Sequence, residues 1–333
     1  MITYKMAVTI RKVLTISIFT LLLAWVLSSC EQHELCYNHD HMSKLNVHLD
    51  WREAPDANPG SMFLFLYPED STRALKRDFA GNTLLRTDIL VDLGYDVLTV
   101  NSDFNNDILL GYESMEDVRV TTPAATTIKE LGISTLALPK TRGSEDEEMR
   151  METDPMFSAH STQKAYLSFE QYYGGKDVQM TLFPRPLFCN YHVIVRNVKN
   201  IDQVKGGIAA SLSGLSGSVN AYTEKLGDEA VTIPFAMLTE EKADSKRMIG
   251  SLKCFGRATS KDVPNKLAFY TVLKDGTKWS YVYDVTKQVM EAPDYRNVTI
   301  VIDELPLPEN IGENSGIKPG VSDWEVVDIP LIM

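Results

Sequence analysis

Histidine is scarce in this chain, six in 333 residues, and three of the six, His33, His39 and His41, fall in one short polar stretch. The others, His48, His160 and His192, stand far apart, so no histidine-based metal or acid–base cluster is spelled out. There is no H-E-x-x-H pair, no G-x-S-x-G elbow, no G-x-x-x-x-G-K loop and no G-x-G-x-x-G turn. The nearest approach, Gly214-Leu215-Ser216-Gly217, has the wrong spacing for a nucleophile elbow. With no catalytic, cofactor or metal signature, the chain does not read as an enzyme. Basic residues are also few: 33 Lys and Arg against 45 Asp and Glu, a formal net charge of -12. That balance disfavours a nucleic-acid partner, which needs a basic patch to displace counterions. Cysteines number four, and without Cys30 the remaining Cys36, Cys189 and Cys254 cannot close a disulfide framework. Cys189 and Cys254 could pair if their strands adjoin; buried free thiols fit equally well.

What is present begins at the N-terminus. Lys5, Arg11 and Lys12 precede an apolar run from Val13 to Leu27, followed by Leu27-Ser28-Ser29-Cys30. A charged start, a short apolar core and small residues make a secretory signal, and the run is short for a permanent membrane span. The ending resembles a bacterial lipobox, so residues 1–29 are expected to be a lipoprotein signal peptide and Cys30 the acylated, palmitate-bearing first mature residue. Loss of the three positive charges in that segment takes the formal net charge from -12 to -15. An acidic body does not adsorb to anionic lipid, so the membrane is held through the acyl chains of Cys30.

Residues 30–43 read as a polar tether: Glu31, Glu34, Asp40 and three histidines leave nothing to pack, and Cys36 with His39 and His41 fits no zinc spacing. The body then alternates apolar and polar residues in short runs broken by turn residues, the mark of an all-β protein. Lys44 to Trp51 alternates cleanly, Met62 to Tyr67 is an apolar run stopping at Pro68, and Ile89 to Leu93 with Val97 to Val100 looks like a hairpin about Gly94-Tyr95-Asp96. Leu267 to Lys274 and Thr277 to Val285 flank Asp275-Gly276, which predicts a hairpin with a type I′ turn. Phe188 to Val195, Ile208 to Leu212, Ala230 to Phe235 and Val298 to Ile302 add strands; Ser114 to Val118, Leu238 to Lys246 and Thr286 to Glu291 are helical patches. Between the halves, Ser144 to Pro155 is acidic and poor in core formers, and is expected to be an exposed linker. This divides the body into an N-terminal sandwich at 44–155 and a C-terminal sandwich at 156–333 ending in a tail strand. Asn101-Ser102-Asp103-Phe104-Asn105-Asn106-Asp107 places oxygens at alternate positions as calcium loops do, but Asn106 replaces the required glycine and Tyr112 the bidentate acid, so an Asn/Asp-rich turn explains it better.

Several loose motifs together carry a family likeness: Val47-His48-Leu49-Asp50-Trp51, the strand ending Tyr67-Pro68, Tyr95 through Asn101-Ser102-Asp103, Ser211-Leu212-Ser213-Gly214-Leu215, and Val321-Ser322-Asp323-Trp324-Glu325. On these the chain resembles the fimbrillin-like surface lipoproteins of gut and oral anaerobes, relatives of the type V pilins. The resemblance implies two tandem transthyretin/Ig-like β-sandwich domains, export to the outer membrane and display on the cell face. It implies a pilus subunit, anchor or tip adhesin in cell adhesion, with other fimbrial subunits or host surface ligands as partners and no cofactor. In pilins it also implies strand-exchange polymerisation, after an arginine-directed protease removes the first strand. Arg52 directly follows the first predicted strand and is the candidate cleavage site; the tail, with Trp324, Val326, Ile329 and Leu331 as anchors, is the candidate donor strand. The alternative is a non-polymerising surface lipoprotein that binds a host glycan or protein, with Tyr172, Tyr173 and Trp279 as its stacking surface.

Overall fold

Alternation governs the first strand. In β1 (Met42–Leu49) Leu45, Val47 and Leu49 turn inward while Lys44 and His48 face water. The structure, a computed structural model, describes residues 40 to 309 apart from 130, 243, 244 and 261, together with 324 to 329. Strands of four or more residues are numbered in chain order. After β1 come β2 (Ser61–Pro68), β3 (Leu75–Ala80), β4 (Leu84–Leu90) and β5 (Tyr95–Asn101). Then follow β6 (Phe157–His160), helix α1 (Phe169–Tyr173) and β7 (Val178–Leu182). A three-stranded sheet has the order β7-β1-β4, and a five-stranded sheet runs from Arg185–Pro186 through β6, β5 and β2 to β3.

These sheets explain the unbroken apolar run in β2. Met62, Leu64 and Leu66 share a core with Leu45, Val47, Leu85 and Ile89 of the three-stranded sheet. Phe65 and Tyr67, on the opposite face, pack with Val118 and with Val120 and Val219 of a small sheet formed by Ile108–Leu110, Arg119–Thr121 and Ser218–Asn220. The five-stranded sheet is thus a middle layer, and a strand covered on both sides has no polar face to show.

The second set comprises β8 (Cys189–Val195), β9 (Val204–Ser216), β10 (Ala230–Lys242), β11 (Ser245–Cys254), β12 (Lys266–Leu273), β13 (Lys278–Asp284), helix α2 (Thr286–Met290), β14 (Asn297–Ile302) and β15 (Trp324–Ile329). They form a nine-stranded sheet in the order β14-β8-β11-β10-β9-β12-β13-β15, with Glu148–Met149 beside β10. The sheet folds over on itself, because Ile300 of β14 and Tyr283 of β13, from distant places in the strand order, share one core. Tyr281 and Tyr283 close the fold by donating to the carbonyls of Pro306 (3.2 Å) and Glu304 (2.7 Å).

Several local expectations change. β4 and β5 do not pair with each other: β4 joins β1 while β5 joins β2 and β6, so Gly94 carries the chain between sheets. Leu238 to Lys246 is no helix; β10 and β11 pair there, Leu238 opposite Ile249 and Lys242 opposite Ser245. Ser114 to Val118 closes only a single turn, with Val118 N donating to Ser114 O at 2.9 Å. Asp275-Gly276 does join an antiparallel pair, but only Gly276 has positive φ (90°), so the turn is not type I′. The three strands after residue 155 leave the second half altogether: β6 pairs β5, β7 pairs β1 and Arg185–Pro186 pairs β6. By sheet membership the first set of strands therefore continues to Pro186.

Candidate functional site

β1 lies in a slot between two partners, parallel to β7 with Leu45 opposite Val178, and antiparallel to β4 with Val47 opposite Leu85. Leu45 and Val47 are 0% exposed and Leu49 is 7%. Burial of three such side chains contributes roughly 5 to 9 kcal/mol, at about 1.5 to 3 each. That is comparable with the net stability of a whole domain, about 5 to 15 kcal/mol, so a vacant slot would forfeit much of it. Arg52 follows directly, in a 3-10 turn over Trp51–Glu53 capped by Asp50. Its side chain is 67% exposed. The guanidinium pairs with the Asp50 carboxylate (Nε to Oδ2, 2.9 Å) and lies 5.0 Å over the Phe183 ring. This pairing lowers the Asp50 carboxyl below its ordinary range and raises the Arg52 guanidinium, each chiefly through their shared hydrogen bond.

The tail strand β15 lies at an edge of the nine-stranded sheet, parallel to β13, with Trp324 opposite Lys278 and Ile329 opposite Tyr283. Trp324 packs edge-on against Tyr270 at 5.7 Å and donates Nε1–H to Ala137 O at 2.7 Å. Val326 is 49% exposed. The pleat puts Trp324 and Val326 on one face and Val327 and Ile329 on the other, so the anchors proposed from sequence do not share a face. Cys30 and Leu331 lie outside the described residues.

The acidic segment is hydrogen-bonded into the body instead of forming an unattached strip. Glu147 accepts from Gly214 N (3.0 Å) and Thr232 Oγ1 (2.8 Å), and Glu152 accepts from Lys253 N (3.2 Å). Burial raises the Glu147 carboxyl above its usual range. Arg150 reaches Thr121 Oγ1 at 2.6 Å and pairs with Glu148 and Glu229. The ion-like loop is tied in the same way: Asp103 accepts from Gly60 N, Asp154 from the amides of Asn105 and Asn106, and buried Asp107 from Thr153 Oγ1 and Asp154 N. These carboxylates face N–H and O–H donors, the arrangement of a turn.

The stacking surface suggested by sequence is divided. Tyr172 and Tyr173 meet edge-on at 5.5 Å in α1, whereas Trp279 stacks on Tyr281 at 6.1 Å in β13. Cys189 and Cys254 sit opposite each other on β8 and β11 as free thiols. A cleft of about 760 Å³ opens on the outer face of the nine-stranded sheet, floored by His192, Ile194, Ser251 and Thr299 with Lys129 and Glu152 at its wall. Sequence gave no sign of it, since each floor residue alone is an ordinary outward strand position.

The sequence matches the family model described as a domain of unknown function, DUF5119, over residues 29–236. The chain belongs to the DUF5119 family. No curated protein matches this DUF5119 member. Among solved structures, its fold is similar to that of a candidate adhesin from Bacteroides ovatus, with TM-score 0.59 and 15% identity over 84% of this chain and 99% of that one. It is also similar to a candidate polysaccharide-binding protein from Bacteroides thetaiotaomicron (TM-score 0.49, 11% identity, 80% of this chain and 92% of that one). The fimbrial anchor protein Mfa2 from Porphyromonas gingivalis matches at TM-score 0.47 and 11% identity over 78% and 91%. At these identities the likeness concerns fold alone, and the all-β architecture agrees with it. Among the described residues, no helix is long and apolar enough to cross a membrane.

Proposed function

We propose that this DUF5119 member is a non-enzymatic, surface-displayed lipoprotein of fimbrial type, held in the outer membrane by acylated Cys30 and serving as an anchor, subunit or tip adhesin in cell adhesion. The observation that carries the reading is β1: a buried strand, seated between β7 and β4, with an exposed arginine three residues beyond its end. Cleavage after Arg52 would release β1 together with everything before it, and the slot would demand a replacement strand. A strand from a neighbour supplies backbone hydrogen bonds on both sides and side chains for the vacated positions. β15 has the edge position such a donor needs, since among the described residues it pairs on one side only. The fold likeness to the Bacteroides ovatus protein supports the same reading. Within it, the two sandwiches are the layered set built on β1 to β7 and the folded nine-stranded sheet. Fractionation of the native host with mass analysis of the N-terminal peptide tests the anchor: an acylated peptide beginning at Cys30, in the outer membrane and shaved by external protease, is expected. A soluble periplasmic protein without acyl chains would overturn it.

A further inference from the structure

β14 ends one side of the nine-stranded sheet, and among the described residues it pairs only with β8. An edge strand presents unpaired backbone N–H and C=O groups, a template on which another chain can add. Charge is one device that blunts such edges: β15, at the other side of the sheet, carries Glu325 and Asp328, and the edge strand β3 carries Lys76, Arg77 and Asp78. β14 carries none. Its sequence, Asn297-Val298-Thr299-Ile300-Val301-Ile302, has no proline or glycine and is β-branched from Val298 onward, a composition prone to strand-on-strand association.

The backbone shows where an added strand would bond. Asn190 N donates to Arg296 O and Arg196 N to Ile302 O, so the even-numbered residues turn their backbone groups towards β8, and Asn297, Thr299 and Val301 turn theirs outward. Val301 is already taken. Gln288 Nε2 donates to Val301 O at 3.0 Å, and Val301 N donates to Gln288 Oε1 at 2.8 Å. A carboxamide offers a donor and an acceptor side by side, as a peptide unit does, so Gln288 bonds Val301 the way a neighbouring strand would. An ionised glutamate could only accept there, and a lysine only donate. Helix α2 delivers the side chain from a fixed place: Val289 is buried in the core, and Asp284 accepts from Thr286 N and Oγ1 at the start of the helix. At the other end of β14, Asn297 N donates to Asp294 O at 3.2 Å. Of the outward-facing amides, only that of Thr299 is left without a partner among the described residues.

We propose that Gln288 guards this edge, standing in the backbone positions that β14 of a second copy of the chain would otherwise occupy. A second copy is the occupant because the strand is self-complementary: an antiparallel pair centred on Thr299 sets Thr299 opposite itself and Val301 of each copy opposite Asn297 of the other. Both outer pairs pass through Val301, so one side chain removes them. Neither Cys30 nor Arg52 enters into this. Full-length protein is purified in detergent from the native host as Thr299→Cys and as Gln288→Ala/Thr299→Cys, treated with a short bismaleimide and run on denaturing gels. Cys189 and Cys254 are buried, and the Gln288→Ala protein with Thr299 intact sets the background. Cross-linked dimer is expected to stay at background while Gln288 is present and to rise at least about fivefold with Gln288→Ala. Dimer that is equal with and without Gln288, or that stays at background in both, overturns the guard. The wild-type protein gives a second reading that misfolding of a variant cannot obscure. In hydrogen exchange resolved to single residues, the Val301 amide is expected to exchange at least about tenfold more slowly than that of Thr299, and equal rates overturn the guard.

Discussion

Asp107 is a buried carboxyl whose surroundings tie stability to pH. It is 5% exposed and receives hydrogen bonds from Thr153 Oγ1 at 2.8 Å and Asp154 N at 3.0 Å. Burial outweighs those bonds and pushes its carboxyl up to about 7, against 3.8 for the ordinary group. The folded state therefore binds this proton more tightly than the unfolded chain between about pH 4 and 7, and its contribution to stability falls as pH rises through that window. Asp107→Asn keeps an acceptor for Asp154 N and removes the buried charge. Its urea midpoint at pH 7 is expected to exceed that of the wild type, with a flatter dependence down to pH 4; an unchanged slope would contradict this. Burial also pushes the Cys189 thiol up to about 11 and Cys254 well above its usual range. Alkylation at pH 8 is expected to leave both unmodified in the native protein and to reach both after denaturation, read by peptide mass. A 189–254 disulfide in the native peptide map would contradict the free thiols.

At the scale of elements, the strands that regular alternation announced are there: β1, β2, β8, β12, β13 and β14 lie where the sequence pattern puts them. Leu238 to Lys246 misleads because Leu, Glu and Lys are good helix formers, and pairing of β10 with β11 overrides that local preference. The β4–β5 hairpin fails for another reason, since adjacency in sequence carries no information about which sheet receives each strand. The acidic segment misleads through composition: Glu147 and Glu152 find amide donors 67 and 101 residues away, which no local pattern reveals. Glu147→Ala leaves Gly214 N and Thr232 without their acceptor and is expected to cost about 1 to 3 kcal/mol by urea denaturation. Leu45→Ala in β1 is expected to cost more, about 2 to 5 kcal/mol, because Leu45 is wholly buried and its slot is walled on both sides. A loss below 1 kcal/mol there would mean that β1 is not a structural strand of the uncleaved protein.

For the whole molecule, the all-β pattern was legible in sequence, while the layered arrangement that seats β1 between β7 and β4 was not. That arrangement depends on β7, which follows the acidic segment yet supplies one wall of the slot. The most direct test of the account compares wild type with Arg52→Ala in the native host, shearing the cells and running the sheared fraction unboiled in detergent. Heat-sensitive multimers whose subunits begin at Glu53, absent from Arg52→Ala, are the predicted result for a strand-exchanged subunit. Identical full-length, monomeric, membrane-retained bands in both strains would contradict strand exchange through the β1 slot.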